Sequence, residues 1–104
     1  MSFRRYEILL PTKYNDGSPV ERRKFLQTYR GISVQFGGVS FQGGLTHGRW
    51  IQEGRTHEDS HRKVVVDVED TPESEAFFVQ LKQTLKERFR QIDVWIVSYE
   101  IRVT

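Results

Sequence analysis

The stretch KVVVDVE, residues 63–69, runs directly into DTPE, residues 70–73, and this junction constrains the fold more than any other part of the chain. Val64, Val66 and Val68 alternate along an extended segment, the pattern of a strand with one buried face. Asp70 or Thr71 then offers a side-chain oxygen to unpaired helix amides, and Pro72 suits the first turn, where its missing N–H costs nothing. Phe77, Leu81, Leu85 and Phe89, supported by Phe78 and Ile92, draw an apolar stripe through residues 74–91. A strand followed at once by such a helix requires the helix to pack back onto the sheet.

The first half of the chain repeats this chemistry. In RRYEILL, residues 4–10, Tyr6, Ile8 and Leu10 point to one side of a strand, and Arg5, Glu7 and Leu9 to the other. After a turn at residues 15–17, SPVE at 18–21 reads as a capping box: the Ser18 hydroxyl can accept from an early helix amide, Pro19 takes the first helical position, and Glu21 reaches back. Phe25, Tyr29, Ile32 and Phe36 extend that helix to about residue 36, and Gly37 and Gly38 stop it. Residues 37–54, GGVSFQGGLTHGRWIQEG, hold six of the eight glycines and predict a bulged second strand or two short strands. Residues 94–103 close the chain as a strand, with Trp95, Val97, Tyr99, Ile101 and Val103 alternating with mostly polar partners after Ile96.

The order βαββαβ suits a ferredoxin-like α+β plait, an antiparallel sheet with two helices on one face. With 104 residues there is material for one compact core, so residues 1–104 form a single domain. No cysteine is present, which removes disulfides, thiolate metal sites and cysteine nucleophiles. The start, MSFRRYEILLP, lacks the apolar stretch of a secretory signal, and no window approaches the ~20 apolar residues of a membrane span; a cytoplasmic protein without a membrane role is expected.

The net charge of +2 comes from interspersed residues of both signs, a weak footprint for nucleic acid. The plait's RNA-reading mode also needs exposed aromatics on its central strands, where this chain offers Val65, Asp67 and Glu69, and Arg5, Glu7 and Leu9. A nucleic-acid role would therefore depend on helix and loop arginines.

HEDSH, residues 57–61, matches the H-E-x-x-H pattern of zinc hydrolases. That chemistry needs both imidazoles one helical turn apart, with the glutamate polarising a bound water. The surrounding RTHEDSHRK has no apolar residue with which to bury a helix face, so an exposed hairpin tip is expected. In a hairpin Glu58 projects away from His57, Asp59 and His61, and the hydrolytic arrangement fails. The residues that could still meet a divalent ion are His47, His57, Asp59 and His61.

Glycines 37–38 and 43–44 are followed by neither a lysine–serine pair nor a helix start, so no phosphate loop and no cofactor is implied. The sheet face opposite the helices offers Leu9, Val65, Val94 and Ile96 among Arg5, Glu7, Asp67, Glu100 and Arg102. A face with both charge signs can meet a second copy of itself, which predicts a homodimer acting as a non-enzymatic binding or interaction module. Strand two adds Arg49, Trp50 and Glu53 as ligand or interface candidates, Trp50 being of the type favoured at interfaces.

Gly48, Arg49 and Trp50, followed by Gly54, Glu58, a valine strand, a helix and a closing segment with Phe89, Gln91 and Val94, resemble a family of small uncharacterised bacterial plait proteins. The resemblance implies the plait fold and carries over no activity.

Overall fold

A computed structural model describes residues 1–37, 40–52 and 55–104, with side chains described for 1–37 and 60–104. The elements are β1 (Phe3–Pro11), α1 (Arg22–Phe36), β2 (Ser40–Gln52), β3 (Arg55–Glu69), α2 (Pro72–Arg88) and β4 (Ile96–Ile101). The strands form one antiparallel sheet in the order β2-β3-β1-β4. This is the ferredoxin-like α+β plait expected from the element order.

The two central strands carry the core. Register pairs Tyr6 with Val66 and Ile8 with Val64, and Leu10 lies in the same row. All five side chains are buried under the helices together with Phe25 and Ile32 of α1 and Phe78, Leu81 and Leu85 of α2. Tyr6 stacks on Phe78 with ring centroids 3.8 Å apart, and Phe25 meets Phe89 edge-on at 5.4 Å. Such aromatic pairs add about 0.5–1.5 kcal/mol beyond the area they bury.

The two helices start differently. At α2 the Ser74 amide donates to the Thr71 hydroxyl at 3.1 Å, with Pro72 in the first turn, so Thr71 is the cap. The capping box expected at residues 18–21 does not form, and α1 begins at Arg22. Asp16 Oδ1 takes both the Ser18 amide and the Ser18 hydroxyl, and Glu21 accepts from the Tyr14 hydroxyl. Local turn bonds capture the side chains that would otherwise cap the helix. The α1 end is as expected: Gly37 adopts φ 79° and donates to the Ser33 carbonyl at 2.7 Å, a left-handed stop that glycine makes without steric cost.

Several outward assignments need correction. Strand three begins at Arg55 rather than Lys63, so residues 57–61 lie within the body of a strand and not at a hairpin tip. Strand two, by contrast, takes the first of its two expected forms, one continuous strand with a register shift between Phe41 and Leu45. Ile92, expected beneath α2, is 89% exposed.

The largest correction concerns β4. Pairing of Ile96 with Ile8, Ser98 with Tyr6 and Glu100 with Arg4 puts Ile96, Ser98 and Glu100 on the helix-covered side. Val94 is buried in the core and Ile96 packs against it, so neither belongs to the open face. The open face instead receives Val97, Tyr99 and Ile101, opposite Glu7, Arg5 and Phe3. Because side chains alternate with period two, a shift of one residue moves a whole row to the other face.

Candidate functional site

Two surfaces combine polar chemistry with apolar walls. The first is a cleft of about 380 Å3 between α2 and the β1–β4 edge of the sheet. Its floor is aromatic because Tyr6 of the inward row of β1 lies against Phe78, the first buried apolar residue of α2; Ile96 of β4 continues it. Arg4, one pleat beyond Tyr6 in the same row, reaches across the rim: its Nε donates to Asp70 Oδ1 at 3.0 Å and its Nη1 to Ser98 Oγ at 3.2 Å. The α2 side contributes Glu75, Val79 and Lys82, on successive turns of one helix face. Lys82 also pairs with Asp93 at 3.0 Å, which holds that carboxyl below its usual range. Burial raises the Tyr6 hydroxyl pKa, so it stays a neutral donor at physiological pH. The cleft thus offers an apolar floor, two carboxylates and two cations.

The second surface is the open sheet face. Arg5 holds Asp67 through two hydrogen bonds, Nε to Oδ1 at 2.7 Å and Nη2 to Oδ2 at 2.9 Å. Lys63 pairs with Glu7 at 2.7 Å, and the Tyr99 hydroxyl donates to the same glutamate. These bonds lower the Asp67 and Glu7 pKa values, chiefly through Arg5 and Lys63 respectively, and raise those of Arg5 and Tyr99. Around the pairs lie Leu9 and Val97, with Val65 buried beneath its neighbours. Trp95, 62% exposed, precedes β4; its carbonyl accepts from the Leu9 amide at 3.0 Å, continuing the pairing of the two strands. Tyr99 is 43% exposed on the same side.

Of the sequence-derived candidates, Leu9 and Val65 lie on the open face, whereas Ile96 lines the cleft on the other side. Glu53 lies outside the described residues, as do the side chains of His47, Arg49, Trp50, His57 and Asp59. Their backbone positions, Glu53 apart, are in the β2–β3 ladder: Trp50 pairs with His57, Arg49 with Glu58 and His47 with Ser60. The pentapeptide is therefore extended. His57 and His61 stand four strand residues apart, roughly 13 Å along the chain, instead of one helical turn. His47 falls in the row of Ser60, the alternate row to His57, Asp59 and His61. His61 itself pairs with Pro11 and, with Leu9 and Trp95, borders a hollow of about 140 Å3. Among the described residues, no group of three histidine, aspartate or glutamate side chains is placed to hold a metal, and no helix is long and apolar enough to cross a membrane.

The cleft was not singled out from sequence. Its charged residues come from separate parts of the chain, Arg4 from β1, Asp70 from the β3–α2 junction and Glu75 and Lys82 from α2, and each reads locally as an ordinary surface charge. The one available signal was Arg4 sharing the inward strand parity of Tyr6.

No protein-family model matches the chain, and no curated protein does. Among solved structures it is similar to a phage SAM lyase in complex with S-methyl-5'-thioadenosine, with a TM-score of 0.65 and 16% sequence identity over 98% of this chain and 90% of that one. The likeness is one of fold.

Proposed function

We propose that the chain binds a small molecule of the SAM and S-methyl-5'-thioadenosine class in the cleft between α2 and the sheet. The observation that carries this reading is the composition of that cleft: an apolar floor at Tyr6, Phe78 and Ile96 beneath Asp70, Glu75, Arg4 and Lys82. SAM combines an aromatic base and a sulfonium with a zwitterionic amino-acid end, so it asks for an apolar wall, carboxylates near its cations and a cation near its carboxylate. A cleft of about 380 Å3 lies within the usual size range for small-molecule sites. The fold likeness to the phage SAM lyase along nearly the whole of both chains supports the choice of ligand, although folds of this kind host many functions.

Calorimetric titration with both compounds tests it. Saturable binding of each is expected, with Glu75→Gln weakening SAM about tenfold and the thioether, which lacks the sulfonium, far less. Absence of saturable heat with either compound at millimolar concentration rejects the reading. Chromatography after incubation with SAM asks separately whether S-methyl-5'-thioadenosine accumulates, which separates a lyase from a binding module without catalysis.

A second reading is favoured by the β4 register: the chain acts as an interaction module that pairs through its open sheet face with a second copy. Trp95, Val97, Tyr99 and Ile101 form a mostly apolar row that, among the described residues, no element covers. The charges beside it, Arg5 with Asp67 and Lys63 with Glu7, are already neutralised in pairs, so two such faces can approach without net repulsion. Sedimentation velocity at micromolar concentration is expected to show a dimer that Trp95→Ser with Tyr99→Ser converts to monomer. A wild-type monomer across that range excludes it.

A further inference from the structure

A third hollow, of about 470 Å3, lies between α1 and β3 and shares no residue with the cleft. Val20, Phe25, Leu26 and Tyr29 form its wall, and Arg22 and Arg62 supply its polar groups. No carboxylate lines it among the described residues, in contrast to the mixed charges of the cleft.

The cations are positioned by the fold. Arg62 is the inward-row residue of β3 that pairs with Leu10. Its guanidinium lies 5.1 Å from the centre of the Phe25 ring, an arrangement that orients the flat cation and leaves its N–H edge for a partner. Arg22 enters from the first turn of α1. That helix carries Arg22, Arg23, Lys24 and Arg30 and no acidic residue, so its charge of +4 exceeds the +2 of the whole chain. The remaining residues are thus net acidic, and the positive field gathers on the helix that borders the hollow. Lys24 is turned inward, where Nζ donates to the Arg88 carbonyl at 2.7 Å, leaving the arginines to shape the outer surface. Leu26, on the rim, is 51% exposed, so an apolar contact is open beside the cations.

We propose that this hollow binds an aromatic phosphomonoester, its phosphate held between Arg22 and Arg62 and its ring against Phe25, Leu26 and Tyr29. Two guanidiniums suit a phosphate dianion through parallel N–H donors, and the apolar wall separates an aryl ester from free phosphate.

Phenyl phosphate is the probe, with phenol and inorganic phosphate as controls, titrated against the intact chain by calorimetry and by chemical-shift perturbation. Saturable binding of phenyl phosphate is expected, at least tenfold tighter than either control. Arg62→Gln and Arg22→Gln should each weaken it tenfold or more, while Arg4→Gln in the cleft leaves it unchanged. Unaltered melting temperatures of the two variants would tie the loss to the site and not to folding. Failure of phenyl phosphate to saturate at millimolar concentration, or equal binding to the Arg22→Gln/Arg62→Gln double variant, overturns the proposal. So would salt-sensitive retention of a DNA oligonucleotide through the same arginines without phenyl phosphate binding, which would assign the surface to nucleic acid. Loss of SAM binding in the cleft experiment bears on none of these outcomes, because the two sites have no residue in common.

Discussion

The Arg5 guanidinium clasps the Asp67 carboxylate across the β1–β3 pair with two hydrogen bonds of 2.7 and 2.9 Å, and the two residues face each other in the strand register. Both are more than a third exposed, so solvent screens the pair despite its geometry. A double-mutant cycle with Arg5→Ala and Asp67→Ala is expected to give only a weak coupling, and one that falls further in high salt.

The same pair sets a pH dependence. Arg5 lowers the Asp67 pKa below its ordinary 3.8, so the folded state binds that proton less readily than the unfolded chain. The contribution is complete above the ordinary value and fades as pH falls through the lowered one. Urea denaturation should therefore find Asp67→Asn less stable than the parent at neutral pH, with the difference shrinking as the pH falls below the ordinary 3.8. A difference that grows on acidification would contradict the assignment.

Phe89 and Ile92 read alike in the sequence but not in the structure, where Phe89 is fully buried and Ile92 is 89% exposed. Phe89→Ala should cost roughly 3–5 kcal/mol in chemical denaturation through cavity formation and the lost contact with Phe25. Ile92→Ala should stay within about 0.5 kcal/mol.

The unequal helix starts predict unequal losses. Thr71→Ala removes the hydroxyl that accepts from the Ser74 amide and should lower stability by about 1 kcal/mol. Ser18→Ala disturbs only an exposed turn with Asp16, and thermal melts should show a smaller effect.

Register in β4 can be read from two adjacent residues. Ile96→Ala, on the helix-covered side, should destabilise the folded monomer by roughly 2 kcal/mol, the low end for a partly buried isoleucine. Trp95→Ala, exposed on the open face, should leave the dilute monomer within about 0.5 kcal/mol. The reverse ranking would mean that the rows are exchanged.

Much of the architecture was legible locally. The β1 row of Tyr6, Ile8 and Leu10 and the β3 row of Val64, Val66 and Val68 each had one clearly apolar side, so their orientation followed from alternation. Thr71 with Pro72 marked α2, and Gly37 marked the end of α1. β4 was different, because Val94 and Ile96 lead one row while Trp95, Val97 and Tyr99 lead the other. With both rows apolar at their start, periodicity alone cannot choose a face. The capping box at residues 18–21 was misleading for a related reason: Asp16 and Tyr14 compete for the same side chains, and tertiary packing of Tyr14 between Lys24 and Arg90 decides the outcome.

By itself, the amino-acid sequence determined the order of strands and helices and the inward rows of the two central strands, since backbone periodicity and apolar burial act over a few neighbouring residues. Only the tertiary structure decided which face of β4 meets the helices, that residues 57–61 continue a ladder, and that Arg4, Asp70, Glu75 and Lys82 share one cleft. Those outcomes depend on hydrogen-bond register and packing between segments tens of residues apart, and no local pattern encodes such distances.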